Sequence, residues 1–437
     1  MEIGSADDLQ AAAATRPQGT EIALDISLSD WPCEPPAAVK RNKARLERWM
    51  KQTWGGPGLV TAMETVLAAG VRRIHFRSYA AGPYWPTKVP GAAPCTVSEF
   101  HAPALGLPPL RPTWKEWNTV ASAVRAAHSR GIKIMAWFDL TEGHGGNPTR
   151  WALDHPQFCI VDRKGIRLDG PVGIVSSNGV PLDRTKKDMS YRTLIREGFM
   201  RPDCLRPNGT SIDPILSFAY PEVVAYRLAS IREVLSFGVD GLFLVANSCV
   251  GYEEPVSQSF KKEYGVDPKT VGEHDPRWTK HQARYFTEFV RKVRKLIQDE
   301  EQKTGRDVEF VLEGQGGFPG PNQDMRPEPG LPHVPRWAFM PDFVDVETIA
   351  REKLVDGLCF WTMREGRKLS PEARRNVELL TRYRYMGGFS EASFKARIAE
   401  ARKRGFSCLI LNEARVPLAQ MRWMYPGEPG PLYKLAH

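Results

Sequence analysis

PEVVAYRLASIREVLSFGVDGLFLVANS, residues 221–248, places a helix and a strand back to back. Pro221 stands where a helix does not need an N–H. Apolar residues recur at helical spacing through Val223, Val224, Ile231, Val234 and Leu235, and Gly238 closes the run. GLFLVA (241–246) follows as a short continuous apolar run, the pattern of a strand covered on both faces. A helix that ends in glycine and feeds a buried strand is one unit of an alternating parallel sheet.

The same unit recurs along the chain. Leu59–Ala69 ends at Gly70 and leads into VRRIHFRSY (71–79). PTWKEWNTVASAVRAAHSRG (112–131) precedes IKIMAWFDL (132–140), and a long basic helix over 278–302 precedes DVEFVLEG (307–314). DVETIAREKLVDG (345–357) leads into LCFW (358–361), and SEASFKARIAEARKRG (390–405) into FSCLILNEA (406–414). ARRNVELLTRY (373–383) leads toward a weak strand at 382–386. With EIALDIS (21–27), strands fall near positions 22, 73, 134, 242, 309, 358, 384 and 408. Eight such units predict a (β/α)8 TIM barrel, with long insertions after strands 3 and 5. No GxGxxG follows an early strand, which counts against a dinucleotide fold. The expected organisation is a disordered segment over 1–19 and a single barrel domain over 20–437.

A chain of 437 residues, 42% hydrophobic, can bury a large core. No apolar run approaches the roughly 20 residues of a membrane span. The net charge of +9 is spread along the chain, and RKVRK (291–295) alternates as a solvated helix face does. No nucleic-acid module is present, while an acidic substrate suits the charge. The seven cysteines form no CxxC pair. The first residues carry no basic-then-apolar leader, so secretion or periplasmic export is an expectation only for a chain already processed. His75, His144 and His155 fit no metal-ligand spacing, and no motif calls for a cofactor. Oligomeric state is not legible.

In this architecture chemistry gathers at the C-terminal ends of the strands. Strand 2 offers His75 and Arg77, with Tyr84 and Trp85 in the loop beyond. Strand 3 offers Trp137 and Asp139, with Glu142 and His144 beyond. Strand 4 offers Asn247, strand 5 Glu313, strand 6 Trp361 and strand 8 Glu413. Flat rings for sugar C–H faces and charged groups for hydroxyl pairs make up this set. Glu313 ends its strand between apolar residues and glycines and is the first choice for nucleophile or base. Its plainer reading is a structural carboxylate bonded to Arg77 or a loop amide. Asp139 and Glu142 are the candidate acids; their plainer readings are a loop cap and an exposed side chain. Asp25 ends strand 1 early and is read as the anchor of a neighbouring arginine. The remaining residues would position the sugar.

DHPQFCIVDRKGIRLDG (154–170), LSFAYPEVVAYRLASIREVLSFGVDGLF (216–243) and YGVDP (264–268) resemble bacterial glycosyl-hydrolase-like barrels, the family-10-like hypothetical glycosyl hydrolases. PYWPTKVPG (83–91) and VDVETIAREKLVDGL (344–358) resemble the same group. The resemblance implies a (β/α)8 fold and a glycoside hydrolase of poly- or oligosaccharides. It also implies an aspartate at the end of strand 4, where this chain has Val245. Three readings follow: a hydrolase whose carboxylates lie on strands 3 and 5, a non-catalytic carbohydrate-binding barrel, or a barrel lyase or isomerase.

Overall fold

A computed structural model describes residues 20–26, 44–45, 48, 57–68, 70–79, 82–94, 118–140, 149–161, 163, 165, 216–246, 250–272, 275–314, 344–360, 363, 369–383 and 391–411. Eight parallel strands close into a barrel in chain order. They are β1 Glu21–Ile26, β2 Arg73–Tyr79, β3 Lys133–Asp139, β4 Gly241–Ala246, β5 Glu309–Gly314, β6 Gly357–Phe360, β7 Glu378–Tyr383 and β8 Cys408–Leu411. β8 pairs back onto β1 through Glu21↔Cys408 and its neighbours, so no sheet edge is left open.

The helices among the described residues are α1 Pro57–Ala68, α2 Thr119–His128, α3 Arg150–Asp154, α4 Pro221–Leu235, α5 Glu254–Tyr264, α6 Pro276–Thr304, α7 Val346–Arg351, α8 Pro371–Arg375 and α9 Glu391–Lys403. None of them is long and apolar enough to cross a membrane. The architecture is the expected (β/α)8 barrel, and the long insertions follow β3 and β5. Residues 1–19, expected to be disordered, lie outside the described residues.

The seventh strand is displaced from its expected position. It occupies Glu378–Tyr383 rather than 382–386. Ser370 caps α8 by accepting from Ala373 N at 3.1 Å, and Asn376 ends the helix after five residues. ELLTRY is thereby free to run extended, with Leu379 packed outward and Leu380 inward.

Two cores result. Outward-facing strand residues pack under the helices. Inward-facing residues fill the barrel itself: Ala23, Met135, Trp137, Phe243, Val245, Val311, Cys359, Leu380, Cys408 and Ile410. The interior is packed core and not a pore. Its N-terminal end is closed by charge. Arg73 donates to Glu309 at 2.5 Å and to Glu21 at 3.4 Å, and Lys133 meets the other Glu309 oxygen at 2.5 Å.

Two strands enter this core through the same tetrapeptide, VDGL, at 239–242 and 355–358. Each aspartate accepts the N–H of the second residue of the preceding strand: Ile134 N to Asp240 at 2.8 Å and Phe310 N to Asp356 at 2.7 Å. Each glycine then makes room inside the barrel. A Cβ on Gly241 would lie 2.4 Å from Met135 Sδ and 2.5 Å from Glu309 O, and one on Gly357 2.7 Å from Leu380 Cδ1. Gly241→Ala is therefore expected to cost about 1–3 kcal/mol through overpacking. A denaturant midpoint equal to that of the parent would refute this packing account.

Candidate functional site

Toward the C-terminal half of the barrel, β1, β2, β5 and β7 bring four ionisable groups together in the buried interior. Asp25 and Glu313 are fully buried, as is His75, and Arg382 is 2% exposed. His75 Nδ1 lies 3.0 Å from Asp25 Oδ1. Arg382 Nη1 lies 2.9 Å from Asp25 Oδ2, and its Nε pairs with Glu313 Oε2. One guanidinium thus holds two carboxyl groups contributed by strands that are far apart in sequence.

The charges are set by these neighbours. Burial pushes the Glu313 carboxyl up to about 7; Asp25 and Asp139 reinforce the shift and Arg382 opposes it. Burial works against the Arg382 charge, but Asp25 and Glu313 overcome it and raise its pKa. Burial lowers the His75 pKa against the pull of Asp25. His75 is accordingly neutral near pH 7, and its ring stacks on Phe243 at 4.3 Å.

Asp139 ends β3 and is 5% exposed. The strand register puts it opposite Val245, which is itself opposite Glu313. Val245 therefore stands between two carboxylates in one row. Neighbouring strands lie about 4.8 Å apart, so the two acid-bearing backbones are separated by roughly 10 Å. A third carboxylate at Val245 would crowd like charges within this row.

Trp137 forms the floor on the β2 side. The Arg77 guanidinium lies 4.1 Å above its ring centroid, and that of Arg382 lies 5.0 Å away. His75, Arg77, Trp137, Asp139 and Glu313 thus lie together in the C-terminal half of the barrel. Arg382 was missed, because the strand was placed a few residues too late. The signal was the alternation of Leu380 and Arg382 in ELLTRY. The expectation that Asp25 anchors an arginine is met by Arg382.

Tyr84 and Trp85 are not brought to this cluster, and the expected sugar platform at these positions is corrected. Tyr84 is 5% exposed and Trp85 fully buried, both in the core between strands and helices. The reason is Glu233 on α4. It accepts from Trp85 Nε1 at 2.8 Å, Thr87 Oγ1 at 2.6 Å and Lys88 N at 2.6 Å, which folds the loop back onto the helix. Glu142, His144, Asn247, Trp361 and Glu413 lie outside the described residues.

One other carboxyl has a strongly raised pKa. Burial pushes Glu253 up to about 7, against its hydrogen bond to Ser217. It accepts from Gly251 N at 2.6 Å and precedes α5, so it organises the β4–α5 connection. Among the described residues no three His, Cys, Asp or Glu side chains are grouped to hold a metal ion.

No protein-family model matches the chain, and no curated protein sequence matches it. Solved structures similar to it include α-L-fucosidase isoenzyme 2 from Paenibacillus thiaminolyticus, 13% identical with a TM-score of 0.48, over 95% of this chain and 48% of that one. A β-galactosidase from the psychrophilic Marinomonas ef1 is 10% identical with a TM-score of 0.49, over 90% and 53%. Morphinone reductase in complex with tetrahydroNAD is 13% identical with a TM-score of 0.39, over 95% and 89%. The chain spans about half the length of the fucosidase and of the galactosidase.

Proposed function

We propose that this barrel hydrolyses glycosidic bonds of a poly- or oligosaccharide, with Glu313 as general acid and Asp139 as its partner carboxylate. The observation that carries the reading is Glu313 itself: a carboxyl with its pKa pushed up to about 7, in one register row with Asp139. A group that keeps its proton near neutrality can deliver it to a leaving oxygen. This reverses the role expected from sequence, where Glu313 was nucleophile or base. Asp139, at the more accessible end of the row, supports the positive charge that develops at the anomeric carbon. It does so by attacking that carbon or by activating a water, the alternatives that separate retention from inversion. The motifs resembling bacterial glycosyl-hydrolase-like barrels support the substrate class.

A second reading is favoured by one observation. Glu313 is fully buried and ion-paired with Arg382, as a purely structural charge would be. On that reading the barrel binds carbohydrate without cleaving it. Release of reducing ends from a panel of neutral and acidic glycans decides between them. Release by the parent and its loss in Glu313→Gln supports hydrolysis. Binding without release from any glycan supports the second reading.

A further inference from the structure

Four arginines are buried among the described residues: Arg73, Arg77, Arg227 and Arg382. Three have an ionic or hydrogen-bonding partner in the protein, although some nitrogens of each are left without an acceptor. Arg73 pairs with Glu309 and Glu21, Arg382 with Asp25 and Glu313, and Arg227 donates to the carbonyl of Leu140. Arg77 is different. It is 3% exposed, no acid among the described residues pairs with it, and its Nε–H has no acceptor. Among the described residues its guanidinium rests on the ring of Trp137, 4.1 Å below. Trp137 is 4% exposed, and its indole N–H also has no acceptor.

A buried cation without a counter-ion is costly, and so is a buried N–H without an acceptor. Here two such donors are stacked on one another. Both are on the barrel side of adjacent strands, paired in register as Arg77↔Trp137, two residues before Asp139. Stacking uses the face of the guanidinium and leaves its edge, where the N–H fork lies. That edge matches coplanar oxygens carrying negative charge. Neutral sugar hydroxyls supply acceptors, but they do not neutralise the charge.

We infer that Arg77, with the Trp137 N–H, is the subsite for an anionic group on the sugar, a hexuronate carboxylate or a sulfate ester. The inference rests on the carbohydrate reading and names its substrate class. The anion neutralises Arg77, and the guanidinium fork fixes the ring that carries the anion relative to Asp139 and Glu313.

The test is calorimetric binding of oligosaccharides from polygalacturonate, alginate and glucuronan, each against its carboxyl-reduced neutral counterpart, with sulfated galactan oligosaccharides as a separate arm. The parent is expected to prefer the anionic member of at least one pair, or the sulfated probe, by about 10- to 100-fold. Arg77→Gln is expected to bring that ratio close to one, with the anionic member losing far more affinity than its neutral counterpart. Arg77→Lys, which keeps the charge and loses the fork, should retain part of it, and both variants are checked by thermal melting. The arm that carries the preference identifies the source of the anion. No preference in any arm overturns the inference, as does a preference that survives Arg77→Gln. Reducing-end release is read on the same probes. Preference without release sinks the hydrolase and keeps the subsite; release without preference does the reverse.

Discussion

Arg382→Leu is expected to destabilise the fold by about 3–5 kcal/mol, because it strands two buried acids without their shared cation. Asp25 and Glu313 are both fully buried, and Arg382 is the cation paired with each of them. Leucine fills much of the volume, so the loss is electrostatic and not a cavity effect. Arg382→Lys should recover only part of it, since one ammonium cannot reproduce a fork spanning β1 and β5. The electrostatic account has a second, sharper consequence. Asp25→Asn placed on Arg382→Leu should restore stability, although each change alone is destabilising, because the double variant no longer buries an unpaired Asp25 charge. Denaturant midpoints of the four proteins measure this coupling. Strict additivity, or a single Arg382→Leu loss below about 1 kcal/mol, would mean that the barrel interior tolerates these charges by other means.

The barrel was legible because its signals are local. Most helices announce themselves by spacing, and several by Pro or Asn near the start and Gly at the end, while each strand is a short run covered on both faces. Strand seven is the instructive failure. A five-residue helix and a six-residue strand share the stretch 371–383 with no glycine between them. The boundary lies in the Ser370 cap and in Asn376, and a displacement of three to four residues was enough to hide Arg382. The positions of candidate residues were legible as far as strand ends could be read, which places Glu313, Asp139, Trp137, Arg77 and His75 on the barrel strands. Their partnerships were not legible. The plainer reading of Glu313 bonds it to Arg77 or a loop amide, whereas closure of the barrel sets it beside Arg382. Tyr84 and Trp85 failed for a related reason. Their place depends on Glu233, some 146 to 148 residues away in sequence, which holds Thr87 and Trp85. Val245, puzzling as the end of strand 4, makes sense once the register places it between Asp139 and Glu313.

Glu313→Gln is expected to lower the rate of glycoside cleavage by about 10²- to 10⁴-fold, the contribution of a positioned acid, while leaving sugar affinity within a few-fold of the parent. Glutamine keeps the shape and removes the transferable proton. The pH profile should single out this carboxyl. Its pKa is pushed up to about 7, so the parent's kcat should fall about tenfold per unit above that pH, as the acid loses its proton. A leaving group that needs little protonation, such as a nitrophenolate, should rescue the variant and flatten its alkaline limb. A buried charge with no part in the reaction would not produce that rescue. Stability supplies an independent check. An exposed glutamate loses its proton near 4.5, whereas in the fold Glu313 keeps it to about 7. Its contribution to stability is therefore complete below about pH 4.5 and is lost as pH rises through about 7. Glu313→Gln should lack that decline, and its melting temperature should gain on the parent's between pH 5 and pH 8. A parallel pH dependence in the two proteins would show that Glu313 is ionised throughout, held by Arg382, and would remove it from the role of acid even if the variant proved inactive.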